Sequence, residues 1–218
     1  FPLKINYTDK TSKVMMINSL KYGQSKHVVV ELDKEVSNVE IDINGTLIKS
    51  DLYDITDDYY FEQLYRFKTY NMLDGCIILK KFNDEGFKTT LDNLILEITF
   101  NKEVEDNQYI KNILFDLEGQ VKESFNMTTQ GLREDWFTKW GIHYLRSLKS
   151  AYENEVCNNF KDKGISHFGG KLFNQLRDEI SDIFDSQPPP KRDIKVRAPR
   201  FGGSISQAYS QAHPQAIQ

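Results

Sequence analysis

Cysteine is scarce in this chain: 218 residues contain two, Cys76 and Cys157. Two thiols cannot build a disulfide framework, so a reducing, cytoplasmic setting is the simpler expectation. Long apolar runs are missing too. None approaches the roughly 20 residues that a membrane-spanning helix requires. Charge of one sign is also missing. The formal net charge is −4, and no global field selects nucleic acid or an anionic membrane. Paired ligands of the Cys-x-x-Cys or His-x-x-x-His kind do not occur, so no metal site is expected. Neither a Gly-x-x-x-x-Gly-Lys loop nor a dinucleotide fingerprint is present, and no cofactor is expected. The chain starts Phe-Pro-Leu-Lys, without an initiator Met or a signal-peptide pattern, which reads as an internal boundary of a longer protein.

What is there suits a folded core. Hydrophobic residues make up 39% and charged residues 28%, enough for one large domain or two small ones. Sequons occur at Asn6, Asn44 and Asn126. A chain this rich in Asn, Ser and Thr produces them by chance, so they do not argue for secretion.

The first quarter reads as β structure. Val14 to Leu20 is apolar and bounded by polar turns, and His27 to Leu32 is short and β-branched. Val39, Ile41 and Ile43 alternate with Glu40 and Asp42, the period of a half-buried strand. Asn44-Gly45 is the preferred pair for a type I′ hairpin, with Thr46-Leu47-Ile48 as the return strand. After Asp54 the period becomes helical. Asp57 and Asp58 suit a helix N-terminus, followed by Phe61, Leu64, Tyr65, Lys68 and Met72, with Gly75 ending or interrupting the element. Cys76 to Leu79 is ambiguous between strand and helix. Four further apolar stripes follow. They are Leu91 to Ile98, Ile110 to Phe125, Phe137 to Tyr152 and Leu172 to Phe184. Pro188-Pro189-Pro190 stops the last helix. The expected fold is therefore α+β. Residues 1–56 form a small antiparallel sheet or partial β-sandwich, 57–187 a helical bundle, and 188–218 a basic, low-complexity tail with too little apolar payload to fold alone.

The chemistry-bearing residues cluster late. Trp140-Gly141-x-His143-Tyr144 places a glycine mid-helix, where it costs about 1 kcal/mol relative to alanine. Such a glycine implies a close helix crossing, with Trp140 and Tyr144 in the core and His143 hydrogen-bonded nearby. The functional alternative makes His143 a ligand or base. Cys157 with His143 or His167 could be drawn as a thiol–imidazole hydrolase, but a buried structural cysteine is the favoured reading. Asn158, Asn159, Asp162 and Gly164 are turn chemistry, with Gly164 supplying positive φ and Phe160 plugging back into the bundle. Gly169-Gly170 reads as a tight turn into the last helix rather than a phosphate cradle. Lys191, Arg192, Lys195, Arg197 and Arg200 form a basic run that could bind RNA, an acidic protein surface or lipid headgroups.

Lys139 to Leu145, the Cys157–Gly164 loop, Gly169-Gly170-x-Leu172-Phe173 and Arg177-Asp178 form one signature, with Tyr22-Gly23-Gln24-Ser25 and Val28-Val29-Val30 as an earlier part. Together these resemble the region that follows a von Willebrand factor A domain in eukaryotic proteins of the von Willebrand A / Hedgehog-intein-like type. The resemblance implies a multidomain protein, a β element packed against a von Willebrand A domain, and a helical extension. It transfers no catalytic residue. The self-processing chemistry of some members needs an N-terminal Cys or Ser, with a His-Asn pair in the splicing types, and this chain contains no His-Asn dipeptide. The leading expectation is a non-catalytic interaction or scaffold region whose partners are other protein domains. The small sheet at residues 13–53 looks incomplete on its own, and a strand contributed from upstream of the von Willebrand A domain, completing a sandwich, belongs to that picture. A Cys157 hydrolase and a nucleic-acid-associated subunit using the basic run are the alternatives.

Overall fold

Asn44 and Gly45 take left-handed φ values of 54° and 84°, as a two-residue type I′ turn requires. The Gly45 N–H donates to Asp42 Oδ1 at 2.7 Å and braces the turn. It joins β3 (Val36–Ile43) to β4 (Thr46–Ser50) as the alternation of Val39, Ile41 and Ile43 predicts. The computed structural model describes residues 1–17, 25–50, 52–127, 135–158 and 160–188. The sheet is antiparallel throughout, in the order β2-β1-β3-β4, with β1 at Pro2–Tyr7 and β2 at Ser12–Met16.

Three details differ from the sequence reading. The central strand β1 is not among the expected strands, although Leu3, Ile5 and Tyr7 alternate. Residues 27–32 form no strand. Their first residue is instead tied to the helices, because the His27 N–H donates to Glu155 at 2.5 Å. Third, the most buried residue of β3 is Glu40, set between Lys4 of β1 and Lys49 of β4 at 3.9 and 3.2 Å. This row of alternating charge crosses three strands, which favours the observed register. Val14 on β2 and Leu47 on β4 are exposed, so both edge strands carry apolar side chains open to solvent.

Helix α1 (Asp57–Lys81) begins at Thr56, whose hydroxyl accepts the Tyr59 N–H. Asp57 and Asp58 lie in its first turn and Lys80 and Lys81 in its last, each sign matched to the helix dipole. It runs through Gly75 without a break. A glycine costs about 1 kcal/mol there, and the flanking Met72, Leu73, Cys76 and Ile77 are buried, which outweighs it. Cys76 to Leu79 is thereby helical. α2 (Gly86–Phe100) buries the predicted Leu91, Leu94, Ile95 and Ile98. A 3-10 turn at Lys102–Val104 leads to α3 (Gln108–Asp116), where Asn107 accepts the Ile110 N–H at 3.1 Å.

The third stripe then changes geometry. Leu117–Val121 is π-helical and leads into the single turn α4 (Lys122–Ser124). The fourth stripe opens in a second π-helical turn, Phe137–Gly141, before α5 (Ile142–Asn154). α6 (Lys163–Ser166) is one turn, and α7 (Lys171–Ser186) follows. The helical core packs α1 against α2 and α5 around Leu73, Phe87, Leu91, Ile113, Leu145 and Tyr152, all essentially inaccessible. No residue of the sheet belongs to it.

α7 carries the apolar stripe that its sequence predicts. Its stripe of Leu172, Phe173, Leu176, Ile180, Ile183 and Phe184 is 40% to 75% exposed, and the helix buries no residue. Residues Phe1–Glu179 form one unit and Ile180–Gln218 a second. The described part of the second is the end of α7 and the residues up to 188.

Candidate functional site

Gly141 lies where the π-helical start of α5 crosses α4. A Cβ built there would sit 2.3 Å from the Ser124 carbonyl oxygen and 3.2 Å from its Cβ. The glycine is therefore a matter of space, as the sequence predicts. Trp140 is half-buried, edge-on to Tyr144 at 5.8 Å. Tyr144 is buried. His143 is exposed rather than tucked into hydrogen bonds, because its position on α5 faces away from the crossing.

Tyr144 leads into a buried network. Its hydroxyl donates to Asp162 Oδ1 at 2.6 Å. On the neighbouring side Asp116, the last residue of α3, accepts the Lys163 N–H at 3.0 Å, the Gly164 N–H at 2.7 Å and the Tyr152 hydroxyl at 3.3 Å. Both acids are more than nine-tenths buried. Desolvation pushes the Asp116 carboxyl up to about 6. Its two amide donors and Tyr152 oppose that rise, and the nearby Asp162 charge adds to it. Asp162 is raised by burial as well, with the Tyr144 hydrogen bond opposing. The Tyr144 hydroxyl is pushed far above its usual range by burial and remains a donor.

Gly164 is the joint of this network. A Cβ there would lie 2.0 Å from the Tyr152 hydroxyl and 2.9 Å from Asp116 Oδ2. It takes an ordinary helical φ, so it provides close approach and not the positive φ that the loop pattern suggests. Asn158 behaves as expected, its Oδ1 accepting the Phe160 N–H at 2.8 Å in an Asx turn. Phe160 stays 45% exposed and rests edge-on against Tyr144 instead of plugging into the bundle. Gly169 and Gly170 form the turn into α7, and Asn174 closes it by donating to the Gly169 carbonyl at 3.1 Å.

A family model described as "VWA / Hh protein intein-like" matches residues 107–182. That stretch is about a third of the chain and holds the whole Asp116–Asp162 network. The matched region is thus similar to a von Willebrand A-related segment. No curated protein and no solved structure matches the chain.

Within the matched region the sulfur chemistry is weak. Cys157 is partly exposed. Its thiol donates to the Asn158 carbonyl at 3.5 Å and accepts from the Arg177 guanidinium at 3.8 Å, and burial raises it despite that charge. Cys76 is fully buried, its thiol pushed up to about 12. His167 is exposed and lies over Tyr109 at 4.5 Å between ring centres. Among the described residues no group of three His, Cys, Asp or Glu is placed to hold a metal ion. No helix among them is long and apolar enough to cross a membrane. Asn159, Tyr22 to Gln24, and the basic run Lys191, Arg192, Lys195, Arg197 and Arg200 lie outside the described residues.

A second polar cluster escaped the sequence reading. Arg66 of α1 is 1% exposed and donates to the carbonyls of Tyr152 and His27, both at 2.7 Å, and to Gln63 at 2.9 Å. Glu155, at the end of α5 with φ 54°, sits 3.4 Å from Arg66 and 2.5 Å from His27 Nδ1. The pair fastens the segment before β3 to the helices. Asp116 also went unread, although its spacing three residues after Ile113 places a charge on the buried face of a predicted helix.

Proposed function

We propose that this chain is a non-catalytic protein-interaction region of a larger von Willebrand A-type protein, with other protein domains, including a von Willebrand A domain, as its partners. The observation that carries the reading is α7. Six large apolar side chains at helical spacing line its exposed face, and apolar patches of this kind mark sites where another protein docks. An amphipathic helix of this form is read by a groove through its i, i+3, i+4 and i+7 anchors. The similarity of residues 107–182 to a von Willebrand A-related segment supports the same reading.

The competing hydrolase needs a thiolate at Cys157, and the burial that raises its thiol works against one. The basic run from Lys191 to Arg200 is a second contact candidate for an acidic surface or nucleic acid. Its deletion should leave α7-dependent binding unchanged.

Photo-crosslinking from the full chain in its native cells tests the proposal. A photoreactive residue at Leu176 or Ile180 should give a discrete adduct with one partner, and the same group at Gln175 should give far less. Equal yields from both faces, or no adduct from either, would overturn it.

A further inference from the structure

α7 is mounted by its polar side. Asn174 donates to the Ser166 and Gly169 carbonyls at 3.5 and 3.1 Å. Arg177 donates to the Cys157 sulfur at 3.8 Å, and Asp178 lies 3.7 Å from the Lys161 ammonium. At helical spacing Asn174 and Asp178 stand opposite the apolar stripe and Arg177 stands beside one of its edges, so the stripe and its other edge stay open. That other edge carries Glu179, one turn from both Leu176 and Ile183, and then Asp182. Neither acid has an ionic partner among the described residues, and Glu179 accepts only the neutral Gln175 amide at 2.8 Å. Asp185 stands in the last turn and Asp182 just before it, where the helix dipole disfavours negative charge. Helix stability therefore does not account for these acids.

We infer that the groove receiving α7 belongs to a different protein and carries Lys or Arg on the rim that faces Glu179 and Asp182. The inference rests on the reading of α7 as a docking helix and names the chemistry of its partner. The stripe needs apolar walls. The acidic edge needs opposite charge beside them, because an acidic rim would repel it and a neutral one would take water from two carboxylates without replacing it. A lysine or arginine stem is long enough to reach that edge from walls that touch only the stripe. An anionic membrane does not fit. Helices that lie in one carry Lys and Arg on their polar face, whereas α7 carries Asp178, Glu179, Asp182 and Asp185 against Lys171 and Arg177. A second copy of α7 does not fit either. Antiparallel two-fold pairing sets the acidic edge against itself. Parallel pairing sets it against the Arg177 edge, whose cation is 12% exposed and already engaged.

The test uses the full chain in its native cells, with a photoreactive residue at Leu176. The parent should give an adduct with a different protein. Glu179→Lys combined with Asp182→Lys should lower its yield by at least about tenfold. Asp185→Lys, on the back of the helix, should leave the yield unchanged. Lysine in this half of α7 suits the helix dipole, so a loss of adduct is not a loss of helix, and circular dichroism of the purified variants checks this. No adduct from the parent would overturn the docking reading, and the inference with it. With that adduct present, an undiminished yield from the doubly reversed chain would overturn the inference alone. So would an equal loss from Asp185→Lys, or an adduct joining two copies of the chain. Retention of the full chain on phosphatidylserine vesicles, abolished by Ile180→Ser, would overturn it as well.

Discussion

The crossing of α4 and the start of α5 rests on the absence of one methyl group, and Gly141→Ala puts it back. The new Cβ would stand 2.3 Å from the Ser124 carbonyl oxygen, 3.1 Å from its carbon and 3.2 Å from its Cβ. Carbon–oxygen contacts relax near 3.3 Å or beyond, so the two segments must separate by about 1 Å. Neither side can yield by turning a rotamer, since the obstacle is backbone and Ser124 is completely buried with its hydroxyl on the Val121 carbonyl. A rigid backbone obstacle at 2.3 Å puts the cost at the upper end of the usual overpacking range, about 3 kcal/mol, and the gain in helix propensity returns only about 1 kcal/mol. The expected net loss is about 2 kcal/mol, a fall of roughly 1 M in the urea midpoint for a domain of this size. Gly75→Ala is the control. That glycine also lies inside a helix, but a Cβ there would meet nothing within 4 Å, so the propensity term acts alone and should stabilise by about 1 kcal/mol. Opposite shifts in the two urea midpoints, at unchanged slope, are the expected result. A neutral or stabilising Gly141→Ala would refute the reading of Gly141 as a backbone contact.

Two further perturbations probe the buried charges. Arg66→Met removes the buried cation beside Glu155, whose side chain is 7% exposed and keeps only His27, and leaves the Tyr152 and His27 carbonyls without their donor. Thermal unfolding should show a loss of about 3–5 kcal/mol, and a loss below about 1 kcal/mol would contradict it. Asp116 has a carboxyl raised from 3.8 to about 6, so the folded chain binds its proton more tightly than the unfolded chain does. Its contribution is therefore most favourable below pH 4 and is lost as pH rises through 6, a change of about 3 kcal/mol. Asp116→Asn should remove that slope. The stability of the parent minus that of the variant, from urea titrations across pH 4 to 7, should fall with pH, and a flat or rising difference would overturn the assignment.

Much of the helical region could be read from periodicity, because its apolar positions repeat at helical spacing and are buried there. Leu91, Leu94, Ile95 and Ile98 are a direct case. The hairpin was legible for a local reason, since Asn44-Gly45 encodes its own turn. Periodicity failed where an outcome depended on tertiary partners. Gly75 looked like a stop, but burial on both sides carries α1 through it. β1 was missed because a short strand at a chain end has a weak signal. It becomes central only by pairing with β2 and β3. The stripe of α7 was read correctly as a stripe. Periodicity marks an apolar face but does not say whether the rest of the chain covers it.

The candidate site was half legible for a related reason. Gly141, Tyr144, Asp162 and Gly164 stood out as unusual residues, and each proves to be a point of close approach. What sequence could not supply was the second half of each contact. Ser124, Tyr152 and Asp116 come from other elements and look ordinary in their own segments. Spatial pairing also reverses the roles that chemistry alone suggests. His143 and Cys157, the most reactive types in the motif, end at the surface and beside Arg177. Asp162, which reads as a turn former, is buried with Tyr144, and Asp116, which drew no reading, is buried with Tyr152. Asp116 is fully engaged by its neighbours, whereas Asp162 shares the same environment with one oxygen left bare. Both carboxyls are desolvated, and they differ in their donors: three on Asp116 against the Tyr144 hydroxyl on Asp162.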